Sequence, residues 1–139
     1  ILLKELYMDL KILEIASNTE NNKILENFTH LAKKKNHTCG DEIEITLKIA
    51  NDKILDFGYQ SKSCIYCQAS ASLLSINIKN KKIKIIKKLI EDVEDFFINN
   101  SNQFIKEWPQ YKILFTKKNL ARKSCLLLPF KTLNKALKS

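Results

Sequence analysis

The sequence predicts an α+β fold, a small antiparallel three-stranded sheet packed against helices. Residues 42–49 alternate strictly: Ile43, Ile45, Leu47 and Ile49 face one way, and Glu42, Glu44, Thr46 and Lys48 the other. That period of two belongs to a half-buried strand. Beyond Cys64 the apolar residues recur only at helical spacing. Strands followed by a run of helices favour α+β over a parallel α/β sheet.

Taken in order, Leu2, Leu3, Leu6, Leu10 and Leu13 recur at helical spacing and predict an amphipathic helix over the first fifteen or so residues. It breaks at the polar run Ser17 to Lys23, and packing is its expected role. Phe28 to Lys35 supplies one strand, with the weakest pattern because its lysines also suit a solvated loop. After Glu42 to Ile49, Ala50-Asn51-Asp52 carries turn chemistry, and Leu55, Phe57 and Tyr59 alternate in a strand that returns antiparallel. Gln68 to Ile78 is an Ala- and Ser-rich helix. Ile83, Ile86, Ile90, Val93 and Phe97 mark a longer amphipathic helix that stops in the polar stretch Asn99 to Gln103. Trp108-Pro109 leads into a short helix, and Leu126 to Leu137 forms the last one, where Pro129 is tolerable only near the first turn.

The 139 residues suffice for one domain, 1–139, with a real core. The net charge of +9 raises the possibility of nucleic acid. Its source is Lys spread along the chain without a focused patch or an aromatic and glycine pattern, so no nucleic-acid partner is expected. No apolar run approaches the roughly 20 residues of a membrane span, and charges interrupt the first ten positions, unlike a secretory signal. A cytoplasmic protein with no membrane partner is the expectation.

Four cysteines in a reducing compartment point to metal binding or sulfur chemistry before disulfides. Cys39 lies in Asn36-His37-Thr38-Cys39-Gly40-Asp41, where Gly40 permits a tight turn that can bring thiol and carboxylate into one site. Cys64 and Cys125 each precede a predicted helix and have Lys or Arg nearby, a setting that favours the thiolate. Convergence of Cys39, Asp41, Cys64 and Cys125 would make a set of three sulfurs and one oxygen, which suits tetrahedral zinc or an iron-sulfur cluster. Cys64-Ile65-Tyr66-Cys67 is a CxxC pair, but no second pair and no βαβ pattern accompany it, so Cys67 reads as an auxiliary or bystander thiol. His37 beside a lone Cys reads as a surface residue.

These contexts resemble the U-type scaffold proteins of iron-sulfur cluster assembly, the NifU N-terminal, IscU and SufU group. The residues that carry the resemblance are Asn36 with Cys39-Gly40-Asp41, Ser63-Cys64-Ile65 running into Gln68-Ala69-Ser70-Ala71-Ser72-Leu73-Leu74, and Arg122 with Cys125-Leu126. It spans roughly Leu6 to Leu137. The long interval from Cys64 to Cys125, Ser124 where IscU-type members place a His, and the lack of a Leu-Pro-Pro-Val-Lys motif resemble the SufU branch. The chain departs from the family pattern at Asp9-Leu10-Lys11, at Ser61 and Ser63 where glycines are usual, and at Cys67 where a Ser is common.

The resemblance implies a zinc-binding sulfur acceptor for a cysteine desulfurase. Cys39 would receive the sulfur while Asp41, Cys64 and Cys125 hold zinc, and metal exchange would free the attacking thiolate. Apo iron-sulfur proteins or downstream assembly factors would be further partners, and a sulfurtransferase activity would exist only together with the desulfurase. The alternatives are a scaffold that assembles and transfers a [2Fe-2S] cluster and a structural zinc interaction module.

Overall fold

The structure, a computed structural model, describes residues 2–139 and has the expected α+β architecture. Helix α1 (Leu2–Ala16) precedes strands β1 (His30–Lys35), β2 (Glu42–Ala50) and β3 (Lys53–Lys62). Helices α2 (Ile65–Asn77), α3 (Ile83–Asn99), α4 (Phe104–Glu107) and α5 (Lys123–Leu137) follow, with 3-10 turns at Pro109–Ile113 and Lys117–Arg122. The sheet order is β1-β2-β3, antiparallel throughout, with β2 in the centre. Ile43, Ile45 and Leu47 are fully buried, as the alternation requires. Asn51 and Asp52 both adopt positive φ (55° and 60°) and close the β2–β3 hairpin with the twist that short hairpins favour.

The register positions everything that follows. Lys35 pairs with Glu42, and Glu42 with Lys62, so β1 ends, β2 begins and β3 ends on one line. The 36–41 loop and the β3–α2 junction therefore leave the sheet at the same end.

Thr46, on the face of β2 expected to be polar, is also fully buried. Residues 21–25 cover that face: the Leu25 N–H donates to Thr46 Oγ1 (3.1 Å), and the Tyr59 N–H donates to the Asn21 carbonyl (3.1 Å). The crossing brings the Lys23 carbonyl oxygen against Gly58, where a Cβ would collide with it. Gly58 is therefore a close-approach glycine rather than a turn residue.

Helix α2 is buried almost all round, from Cys67 through Ser75. Its small side chains allow close packing, and its hydroxyls find internal acceptors. Ser70 Oγ donates to the Leu126 carbonyl (2.8 Å) and Ser75 Oγ to the Ser72 carbonyl (2.7 Å). Helix α3 buries Ile86, Leu89, Ile90, Val93 and Phe96 and ends at Asn100, whose left-handed φ of 55° stops the helix. Ile83 and Phe97 lie at the margin of that face.

Two expectations need correction. The leucines that announce α1 are not its packing face: Leu2, Leu3, Leu6, Leu10 and Leu13 are exposed, while Ile12 is buried and Ile15 packs against the core. Periodicity shows that a helix is apolar on one side; here α1 has a second apolar side, and α2 and the 3-10 turn at Pro109–Ile113 take that one. Likewise α5 begins at Lys123 rather than Leu126, so Pro129 lies in the helix interior. With no N–H, Pro129 cannot bond the carbonyl of Cys125 four residues earlier.

Gly58→Ala is expected to lower stability by about 1–3 kcal/mol, the usual range for forcing extra volume into a packed region. Thermal melts followed by circular dichroism check this, and an unchanged midpoint would contradict the Lys23 approach.

Candidate metal and sulfur site

The 36–41 loop is closed by its own backbone. The Asn36 N–H donates to the Asp41 carbonyl (2.6 Å), and the Gly40 N–H donates to the Asn36 carbonyl (2.7 Å). Gly40 sits at φ 80°, a conformation that side chains other than Gly rarely tolerate. Asn36 Oδ1 accepts the Thr38 N–H (3.0 Å) and completes the turn. The result lifts Cys39 into solvent and folds Asp41 inward, where it is 5% exposed.

Cys64 is the N-cap of α2, and its backbone N–H donates to Asp41 Oδ1 (3.0 Å). Cys125 is the third residue of α5, within the first turn rather than ahead of the helix as the sequence suggested. Both cysteines thus stand among backbone N–H groups that have no partner within their helices.

The structure brings a sulfur of Cys39, a carboxylate oxygen of Asp41 and the sulfur of Cys125 within 4.8 Å of one another. Cys64 flanks this trio without joining it: its N–H holds Asp41, while its sulfur lies outside the 4.8 Å group. Cys67 lies one helical turn beyond Cys64, fully buried, with the Ser63 hydroxyl beside it. His37 is exposed.

Burial dominates the thiol electrostatics. It pushes the Cys125 thiol well above the ordinary range, and the Cys64 thiol, Asp41 and Cys39 push the same way. The expectation that a helix N-terminus favours the Cys125 thiolate is therefore reversed in the metal-free protein. The helix-end charge is worth about 0.3–1 kcal/mol at an exposed site, too little to offset desolvation beside other acidic groups. Burial also pushes Cys67 up to about 12, opposed by the Ser63 hydroxyl.

Among the described residues, three buried side-chain polar atoms have no hydrogen-bond partner: Asn36 Nδ2, Asp41 Oδ2 and the Tyr111 hydroxyl. Two of the three belong to this one loop. A buried carboxylate oxygen without a donor is what a missing cation leaves behind. Three thiols and that carboxylate fit a borderline-soft divalent ion or an iron-sulfur cluster. Sequence reasoning passed over Tyr66, over whose ring the Arg122 guanidinium stacks at 4.6 Å. The pair joins the start of α2 to the start of α5, and no local pattern announces such a contact.

The model of the NifU-like N terminal domain matches residues 7–106, a stretch that includes Cys39, Asp41 and Cys64. This chain belongs to the U-type scaffold family of iron-sulfur cluster assembly. Cys125 of this NifU-like chain lies beyond the matched stretch. A relative from Thermotoga maritima, the iron-sulfur cluster assembly scaffold protein IscU, is 32% identical over 129 residues, covering 91% of this chain and 89% of the relative. The zinc-dependent sulfurtransferase SufU of Bacillus subtilis is 33% identical over 73 residues, covering 52% of this chain and 49% of its own. Among solved structures, FiSufU of Fervidobacterium islandicum aligns with a TM-score of 0.82 at 25% identity, over 91% of this chain and 93% of that one. The NifU-like N-terminal protein of Brucella abortus aligns at 0.84 with 22% identity, over 92% and 90%, a likeness of fold.

In metal-free protein, iodoacetamide at about pH 8 should label Cys39 first and leave Cys67 and Cys125 largely unreacted, because only thiolate reacts. A thiol near 12 is ionised there in roughly one molecule in ten thousand. Labelling of the two buried thiols should rise as pH is raised. Peptide mass spectrometry reads the order, and equal rates at Cys39 and Cys67 would contradict it.

Proposed function

We propose that this protein is a SufU-type zinc-binding sulfur acceptor, serving a cytoplasmic cysteine desulfurase in iron-sulfur cluster assembly. Two observations carry the reading: Cys39, Asp41 and Cys125 converge within 4.8 Å, and Asp41 keeps one buried carboxylate oxygen that no protein donor satisfies. With Cys64 alongside, the donor set is three sulfurs and one oxygen. A bound zinc ion would supply the positive charge that keeps these thiols deprotonated at neutral pH.

Exposure supports a division of roles. Cys39 is exposed, whereas Cys125 and Asp41 are buried, so Cys39 is the sulfur a partner protein can reach. The Cys39 thiolate attacks the terminal sulfur of a persulfide on the desulfurase cysteine. The donor S–S bond breaks, the desulfurase cysteine leaves as thiolate, and the terminal sulfur with its proton is now bonded to Cys39. One S–S bond replaces another, so no external oxidant or reductant is consumed. Asp41 is a harder donor than thiolate, which suits a site that must loosen during exchange. Apo iron-sulfur proteins or assembly factors then take the sulfur onward.

A second reading is supported by the Thermotoga relative, whose match runs over most of both chains. Here the same residues assemble a [2Fe-2S] cluster as cargo and pass it on. Metal analysis of freshly purified protein and anaerobic reconstitution with iron and sulfide separate the two. A zinc acceptor stays colourless, and visible cluster absorption would favour the scaffold.

Cys39→Ala and Cys64→Ala should each reduce stimulation of the cognate desulfurase to near background. Cys64→Ala should also lower the zinc content. Undiminished stimulation by both variants would rule out the acceptor mechanism.

A further inference from the structure

We infer that the Asn36 carboxamide is the hydrogen-bond donor that holds the anionic sulfur carried on Cys39; this rests on the acceptor reading above. The two orphaned atoms of the loop have opposite polarity. Asp41 Oδ2 is an acceptor in want of a cation, and Asn36 Nδ2 is a donor in want of an acceptor. Every other polar group of Asn36 is engaged: its N–H by the Asp41 carbonyl, its carbonyl by the Gly40 N–H and its Oδ1 by the Thr38 N–H. The last bond also fixes the amide orientation, because only the oxygen can accept from Thr38.

Nδ2 takes no part in the turn's hydrogen bonds and is closed off from water. A buried donor left without an acceptor costs its full desolvation, so its retention calls for a partner that arrives with the ligand. The closures of Asn36 onto Gly40 and Asp41 fold it back beside the residues that flank Cys39. The zinc ion cannot be that partner, since an N–H offers nothing to a cation. A persulfide anion can, once the transferred sulfur has released its proton to solvent, because it brings lone pairs and negative charge to the loop. Hydrogen bonds to ionised acceptors are about twice as strong as neutral ones. Asn36 therefore serves both parts of the site: its oxygen shapes the loop and its nitrogen retains the sulfur.

The test uses inorganic polysulfide as sulfur source, which removes the desulfurase from the experiment. The Cys39 thiolate attacks a polysulfide sulfur, an S–S bond breaks, and a shorter polysulfide anion leaves. Intact-mass and peptide mass spectrometry follow the sulfur added at Cys39 and its loss with time. Asn36→Ser keeps an oxygen for the Thr38 N–H and removes the donor; Asn36→Asp keeps the oxygen and places an anion there. Compared with wild type at equal zinc loading, both should lose the Cys39 sulfur at least about tenfold faster. A second readout needs no variant: in the 15N-labelled protein the Asn36 side-chain amide proton resonance should move downfield when Cys39 takes up sulfur.

Wild-type protein that takes no sulfur at Cys39 would overturn the acceptor reading and this inference with it. Sulfur on Cys39 that both variants retain equally, or an Asn36 amide signal that does not respond, would overturn the Asn36 assignment alone.

Discussion

The site depends on one hydrogen bond, from the backbone N–H of Cys64 to Asp41 Oδ1. It joins two segments 23 residues apart in sequence, the β1–β2 loop and the β3–α2 junction. The bond is possible only because the strand register delivers both segments to the same end of the sheet. It also divides the labour of a single carboxylate. One oxygen is taken up by the N-cap of α2, which fixes the side chain, and the other is left facing a site with nothing of its own to satisfy it. A slip of one residue in the β2–β3 pairing would turn Ile43, Ile45 and Leu47 outward. The core that fixes the register thus also fixes the donor geometry.

Helix α5 completes the arrangement from the far end of the chain. It packs along β1, β2 and α2, and the Ser70 hydroxyl on the Leu126 carbonyl pins its first turn to α2, next to Cys125. Arg122 and Lys123 stand at its N-terminus, where the helix dipole disfavours cations. Such a breach of capping preference makes sense beside a group of acidic donors that would carry surplus negative charge with a divalent ion bound. The same donors explain why position at a helix end fails to ionise Cys125 unaided. Desolvation and three acidic neighbours act against it, and only a cation within the cluster reverses that balance.

The fold was legible where local chemistry and tertiary structure agree. The alternation of 42–49, the Asn51-Asp52 turn and the polar stop after α3 each state a local preference that the packed molecule keeps. The reading failed where a residue is decided by its neighbours. Thr46 looked like a solvent-facing position until residues 21–25 covered it. The α1 leucines gave the right helix and the wrong face. Pro129 suggested a helix boundary that the α5 packing overrides. Of the four candidate site residues read from turn and helix-start contexts, the structure groups Cys39, Asp41 and Cys125 and sets Cys64 beside them. Their distances, and the spare Nδ2 of Asn36, depend on pairings that no window of sequence contains.

The four thiols can be ordered by exposure, and that order is what separates their chemistry. Cys39 is exposed, Cys64 half-buried, and Cys125 and Cys67 buried. An incoming electrophilic sulfur must meet a thiol at the surface, and Cys39 is the most exposed of the four. Cys125 is buried yet belongs to the convergent trio, so it can hold an ion it cannot easily expose. Cys67 has burial without that convergence: three residues past the N-cap, it points its bulk into the closely packed face of the Ala- and Ser-rich helix. A CxxC spacing at a helix start suggests a redox pair, but a thiol held near 12 at such a position ionises too little to act as the attacking partner at neutral pH. The absence of a second pair already set Cys67 aside in the sequence, and its burial gives the physical reason.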